Sequence, residues 1–278
     1  MKSFLNMRNH YSMLIVLLLT IAISCGFCNQ EPVVVNFDDG IYHIKLEGKK
    51  IEKGLKFVSS EKLMTNKEAH SSSGSKLTIN AGFFDPKNQK TISYIVTDRN
   101  TVADPLLNEN LLSNSVLRQN IDKIINRTEF RVVDCDGKTH YEIVPHKTNL
   151  DFPCSVVTSA QGGPMILPEL KLEEEFFVVK KDGVVVRESA SVLEKTARTI
   201  IALKKGNNGQ EIHILIITNK NPKTIYEVRD MCEKLGFDTA MAFDGGSSTS
   251  LNYKNTIDLV STPSKSGRML KSFMVLNY

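Results

Sequence analysis

Short runs of β-branched and aromatic residues recur along the chain and set its first reading. Val33 to Phe37, Tyr42 to Lys45, Leu77 to Ile79, Ile92 to Val96, Arg131 to Val133, Ser155 to Thr158, Phe176 to Val179, Val184 to Val186, Thr199 to Leu203, Ile212 to Ile217, Ala240 to Phe243 and Phe273 to Leu276 each have the length and composition of a strand. Asp39-Gly40, Asp136-Gly137, Asp182-Gly183 and Asn208-Gly209 punctuate them, and three of these turns sit between candidate strands, which predicts antiparallel pairing. Helical periodicity is rarer. Leu106 to Ile125 is expected to be helical in part, and Thr224 to Leu235 carries Ile225, Val228, Met231, Cys232 and Leu235 at helical spacing. Thr224 and Glu227 form a capping-box pattern at its start, and Gly236 closes its end. The Ser-rich stretch Ser71 to Ser75 is expected to be a surface loop. No repeat or linker divides the chain, so the expected fold is α+β: a single mixed, largely antiparallel, sheet-rich domain with a few helices.

The amino terminus follows a different pattern. Lys2 and Arg8 precede an apolar run from Met13 to Ile23, broken only by Thr20 and followed by Ser24, Cys25 and Gly26. A bilayer span needs about 20 apolar residues, so residues 1–24 are expected to be a cleaved secretory signal and residues 31–278 the folded domain. Ala22-Ile23-Ser24-Cys25 also resembles a bacterial lipoprotein box, which would place a lipid on Cys25 as the sole tie to a membrane. Either way the expected location is secreted or periplasmic.

Composition narrows the function. The 278 residues are 41% hydrophobic and 24% charged, which suits a globular protein. Lys and Arg number 35 against 31 Asp and Glu, and the basic residues are scattered, so nucleic acid is not an expected partner. Trp is absent, which excludes a carbohydrate platform of stacked indoles. Cys135 with Cys154 is the one disulfide proposed for an oxidising compartment, and Cys232 is read as a buried thiol on a helix face. No cysteine or histidine spacing matches a metal site, and no cofactor is expected. Asn126-Arg127-Thr128 is a formal glycosylation sequon.

Four segments could carry chemistry. In Ala240 to Thr249 a short strand delivers Asp244 into the turn Gly245-Gly246-Ser247-Ser248, where backbone N–H groups and hydroxyls can surround an anion beside a carboxylate. The competing reading is an ordinary hairpin turn capped by Asp. Leu77 to Asp85 ends a strand in Asn80, followed by Gly82 and by Phe83 and Phe84, which suit a sugar face or the core. Arg198-Thr199 opens a strand with a guanidinium able to grip two phosphate oxygens, or to serve as a surface charge. Gln161-Gly162-Gly163-Pro164 is a further Gly-rich turn after a strand.

Taken in order, Asn80-Ala81-Gly82-Phe83-Phe84, Gln161 to Pro164, Arg198-Thr199, Thr224 to Glu227 and Asp244 to Thr249 resemble the phosphodiester glycosidase family from about Leu77 to the C-terminus. That resemblance implies hydrolysis of a sugar joined through its anomeric oxygen to phosphate, with release of a GlcNAc-like sugar and a phosphomonoester. Bacterial relatives are often labelled exopolysaccharide-related, so a sugar phosphodiester or glycan is the expected partner. It implies a pocket at Asn80 and Gly82, a phosphate ligand in Arg198 beside Thr199, a central carboxylate in Asp244, and substrate contacts from Gly162, Gly163, Gly245, Gly246, Ser247, Ser248 and Arg268. Glu227 matches the family's helical glutamate and is the second catalytic candidate, with its capping-box role as the alternative; Asp85 is a third carboxylate. Ala81, Ala202 and Ser272 depart from the usual Gly, Gly and Asn. Two rivals stand beside the hydrolase: a non-catalytic periplasmic glycan-phosphate binding protein, and a metal-dependent phosphodiesterase.

Overall fold

The computed structural model describes residues 32–207 and 209–278, so the expectations for the signal segment and Cys25 lie outside the described residues. Three antiparallel sheets and a hairpin carry the fold. The first sheet has six strands in the order β1 (Val33–Asp38), β2 (Ile41–Leu46), β14 (Gly209–Ile217), β13 (Arg198–Gly206), β15 (Thr239–Ala242) and β10 (Met165–Leu167). The second has five: β17 (Ile257–Val260), β16 (Ser250–Tyr253), β4 (Leu77–Asn80), β18 (Leu270–Leu276) and β3 (Leu55–Met64). The third also has five: β6 (Asn100–Ala103), β5 (Ile95–Thr97), β9 (Ser155–Gln161), β7 (Thr128–Cys135) and β8 (Lys138–Pro145), while β11 (Val178–Lys181) and β12 (Val184–Glu188) form the hairpin. Every pair between these strands is antiparallel, as the turn signals implied.

The two-residue alternation of strand side chains places the core. On β14, Ile212, Ile214 and Ile216 point into the main cluster, shared with Leu77, Ile79, Phe130, Val132 and Met274 from the other two sheets. Leu215 and Ile217 point the other way, against Ile225, Val228 and Cys232 of a helix. β14 is therefore buried on both faces and reads as a continuous apolar run. That helix, Ile225–Lys234, begins with the expected capping box: the Glu227 amide donates to the Thr224 hydroxyl at 3.2 Å, and the Thr224 amide donates to the Glu227 carboxylate at 2.8 Å. Gly236 follows in the left-handed region.

The stretch Ser71 to Ser75 is a correction to the expected loop. Ser71, Ser72 and Ser73 lie in a helix, Asn66–Ser73, that starts with a second capping box at Thr65 and Glu68 and ends at left-handed Gly74. Its serines return their hydroxyls to the backbone, with Ser73 donating to the Ala69 carbonyl at 2.7 Å, so the helix face stays polar and hides its periodicity. The region from Leu106 is broken into short helices at Glu109–Ser113, Ser115–Gln119 and Ile121–Ile125, each starting after an Asn. Cys135 and Cys154 are bridged, and Cys232 is buried with its thiol pushed up to about 12 by desolvation. No helix among the described residues is long and apolar enough to cross a membrane.

Candidate active site

Four strand ends converge at one place. The Phe243 amide donates to the Thr199 carbonyl at 2.8 Å, the Asp244 amide to the Ala81 carbonyl at 3.0 Å, and the Gly163 amide to the Ala242 carbonyl at 2.9 Å. Asn80, almost fully buried, ties these ends together with its side chain. Its Nδ2 donates to the Asp244 carbonyl at 2.5 Å, while its Oδ1 accepts from the Thr199 hydroxyl at 2.7 Å and from the Ser250 amide at 3.1 Å. Asn80 and Thr199 thus set the backbone under Asp244.

Asp244 forms the floor of a cavity of about 330 Å³ lined by Phe83, Phe84, Ile92, Leu111, Leu117, Ile124, Arg127, Phe177, Arg187, Ser189, Ala190 and Arg268. Burial raises its carboxyl to about 6, against the opposing pull of the Ser248 hydroxyl, the Arg268 charge and the Gly245 amide. Ser248 is fully buried and its hydroxyl has no other partner. Arg268 donates to the Ser247 hydroxyl at 2.6 Å and lies 5.4 Å from the Phe84 ring centre, so it leans over the turn toward the carboxylate.

The remaining two arginines of the cavity are Arg127 and Arg187. Arg127 is buried, sits 4.0 Å over the Phe177 ring and 5.7 Å from that of Phe83, and donates through Nε to the Glu175 carbonyl at 3.0 Å. Burial lowers its pKa to about 10, which leaves it charged near neutrality. Gln161 holds it in place, donating through Nε2 to the carbonyls of Ile125 at 2.9 Å and Arg127 at 3.2 Å. The buried Glu175 accepts from the Thr128 hydroxyl at 2.6 Å and the Met165 amide at 3.0 Å, beside Arg127. Arg187 lies 4.1 Å from the Phe176 ring centre and donates to the Phe176 carbonyl at 3.0 Å. Neither arginine belongs to a segment whose residues point to site chemistry. Arg127 sits inside the sequon, whose Asn126 side-chain Oδ1 accepts from the Lys147 amide and whose Thr128 is buried against Glu175.

Arg198, Glu227 and Asp85 do not line the cavity. Arg198 is buried, and its guanidinium donates to four carbonyls: Lys223 at 3.1 Å, Ser191 at 2.9 Å, Val192 at 3.0 Å and Glu194 at 2.6 Å. It is not among the residues lining the cavity. It braces a turn in which Ala190 and Ser191 both adopt positive φ, 58° and 47°, a conformation that non-glycine residues hold only when their surroundings enforce it. Since Ser189 and Ala190 line the cavity, Arg198 braces one of its walls through Nε and Nη2, while its Nη1 lies beside Gly245. Glu227 is also outside the cavity: its carboxylate closes the capping box and pairs with Lys195 at 3.0 Å, which drives its pKa down to about 2. Asp85 accepts from the Lys87 amide at 2.8 Å and the Asn110 side chain at 2.9 Å, as a turn residue does.

The glycines divide by role. A Cβ on Gly82 would come within 2.6 Å of the Ser93 Cβ, and one on Gly162 within 2.5 Å of the Ala242 carbonyl, so both permit close backbone packing beneath the site. Gly163, with its amide on Ala242, holds the same seam. Gly245 and Gly246 carry the turn, the Gly246 amide donating to the Ala197 carbonyl at 2.8 Å. At the Ser272 departure, the hydroxyl donates weakly to the Gly82 carbonyl at 3.4 Å. Among the described residues, no group of three or more His, Cys, Asp or Glu side chains is placed to hold a metal.

A carboxylate at the floor of a cavity rimmed by arginines, on a stack of antiparallel sheets, defines a class of site suited to an anionic ester beside a proton-transfer group. The chain belongs to the phosphodiester glycosidase family, whose model matches residues 73–276. Among solved structures, it is similar to the catalytic domain of zebrafish N-acetylglucosamine-1-phosphodiester alpha-N-acetylglucosaminidase, auto-inhibited by its pro-peptide, at a TM-score of 0.64 and 14% identity over 88% of this chain and 81% of that one. It is also similar to a hypothetical protein from Synechocystis, at a TM-score of 0.54 and 13% identity over 87% of this chain and 60% of that one. At these identities the likeness concerns the fold. No curated protein matches the chain.

Proposed function

We propose that the protein hydrolyses sugar 1-phosphodiesters at the bond between the anomeric carbon and oxygen, releasing a GlcNAc-like sugar and a phosphomonoester. The observation that carries this reading is Asp244 as the one carboxylate lining a cavity that also presents Arg127, Arg187 and Arg268. The arginines neutralise the phosphodiester and the charge that grows on the departing oxygen, so phosphate leaves without a strong acid. Ionised Asp244 takes a proton from water as the water oxygen bonds to the anomeric carbon. The carbon–oxygen bond breaks with its electron pair going to the phosphate oxygen, and the proton later returns to solvent.

A carboxyl near 6 is ionised at neutral pH yet basic enough to accept that proton. Membership of the family supports hydrolysis in general, and the sugar is this proposal's own addition. Secretion or a periplasmic location, with Cys25 lipidation as the alternative, remains part of the proposal. The test is turnover of a GlcNAc-1-phosphodiester in ¹⁸O water followed by mass spectrometry. Label in the sugar is the expected result. Label in the phosphate would instead assign a phosphodiesterase, and saturable binding without product would favour the glycan-phosphate binding protein.

A further inference from the structure

The cavity is chemically lopsided. Its polar groups are Asp244, Ser189 and the three arginines, whereas the short helices between β6 and β7 contribute only Leu111, Leu117 and Ile124 to the lining, joined by Ile92. These four belong to a satellite apolar cluster with Phe176, Ile121 and Val179. Arg127 and Arg187 border that wall: Arg127 follows Ile124 by three residues, and Arg187 packs on Phe176. Arg268 stands apart, over the turn that carries Asp244.

We infer that the group esterified to the phosphate on the side away from the sugar is apolar, an alkyl or aryl chain seated against Ile92, Leu111, Leu117 and Ile124. The inference rests on the proposed reading of the site and deepens it. An anomeric carbon brought to Asp244 puts the phosphate among the arginines, and the next part of the substrate meets the aliphatic wall. A second sugar there would lose its water and meet donors only at the wall's edge, from Arg127 and Arg187, which the phosphate engages first; each unsatisfied hydroxyl is a net penalty. A hydrocarbon suffers none and gains from leaving water.

The test uses a series of GlcNAc-1-phosphate diesters with methyl, propyl, hexyl and dodecyl groups, together with the corresponding alkyl phosphates that lack the sugar. Binding is followed by calorimetry and turnover by mass spectrometry. The expected result is tighter binding by about three- to fourfold per methylene over the first few carbons, in both series. A plateau by hexyl would describe a short group, and a continued rise to dodecyl would describe a longer lipid-like chain. Leu117→Gln, at a half-buried position, should flatten the dependence on chain length, and Leu117→Met should restore it. Equal affinity across the alkyl phosphates would overturn the inference whatever the turnover. A rising affinity without turnover of any diester would instead uphold the apolar subsite and count against the hydrolase.

Discussion

The helix start at Thr224–Glu227 and the turn at Asp244–Ser248 each offer one carboxylate in a short polar motif, and the fold sends them in opposite directions. Glu227 is ringed by donors: the Thr224 amide, the Thr224 hydroxyl and Lys195 all favour its charge, and it settles near 2. Asp244 has opposing pulls too, from the Ser248 hydroxyl, the Arg268 charge and the Gly245 amide, but burial outweighs them and holds it near 6. The lesson is that donor count does not decide reactivity. What decides is whether the carboxylate is also withheld from water, because only a destabilised anion has reason to take a proton.

The sharpest way to break this contrast is to remove the Asp244 charge. Asp244→Asn is expected to lower kcat by about a thousandfold or more while diester binding persists, as measured by steady-state kinetics beside calorimetry. In the wild type the rate should rise with pH through about 6, as Asp244 ionises. Stability moves the other way: the folded carboxyl holds its proton more tightly than the unfolded one, so this group favours the fold least above about pH 6 and most below the unfolded value. Asp244→Asn should therefore gain up to about 2 kcal/mol at pH 8 and almost nothing near pH 3, which chemical denaturation at the two pH values would reveal.

Removing one arginine should sharpen the contrast by a smaller amount. Arg268→Gln is expected to cost about a hundredfold in kcat/KM and to move the acid limb of the pH profile upward, since Arg268 is among the groups holding Asp244 down. An unchanged limb would show that Arg268 does not face the carboxylate in solution. Arg198→Lys tests the opposite assignment. A lysine cannot span four carbonyls, so the fold should lose about 2–3 kcal/mol, and the affinity for alkyl phosphates should fall far less than in Arg268→Gln. The smallest effect belongs to Glu227→Gln. The amide keeps an acceptor for the Thr224 amide and loses only the pairing with Lys195, so turnover should stay within about twofold of wild type in the same assay. A collapse in kcat without unfolding would return Glu227 to the chemistry.

The cap at Thr224, the hairpin turns and the Asp244 turn were legible because each is local: their geometry depends on residues a few positions apart. The strand Leu55–Met64 was not, because Lys56, Ser59, Ser60, Glu61 and Lys62 break its apolar alternation and its place comes from pairing with the distant C-terminal strand. The same division runs through the site. Asn80 and Arg198 stood out as polar residues in motifs, yet Asn80 spans from one sheet to the turn beneath Asp244, and Arg198 braces a strained loop. Arg127 and Arg187 belong to no segment whose residues point to site chemistry and became cavity residues through tertiary packing on Phe177 and Phe176.

The sequence alone determined an antiparallel α+β chain, the helix at Thr224 and the Cys135–Cys154 pair, since strand alternation, turn residues and capping are written in neighbouring residues and few cysteines were left to pair. Only the tertiary structure decided which arginines share a cavity with Asp244 and which wall of it is apolar. Guanidinium groups reach several ångströms from their backbone, and whether they meet a cavity or a carbonyl depends on segments folded against them from far along the chain.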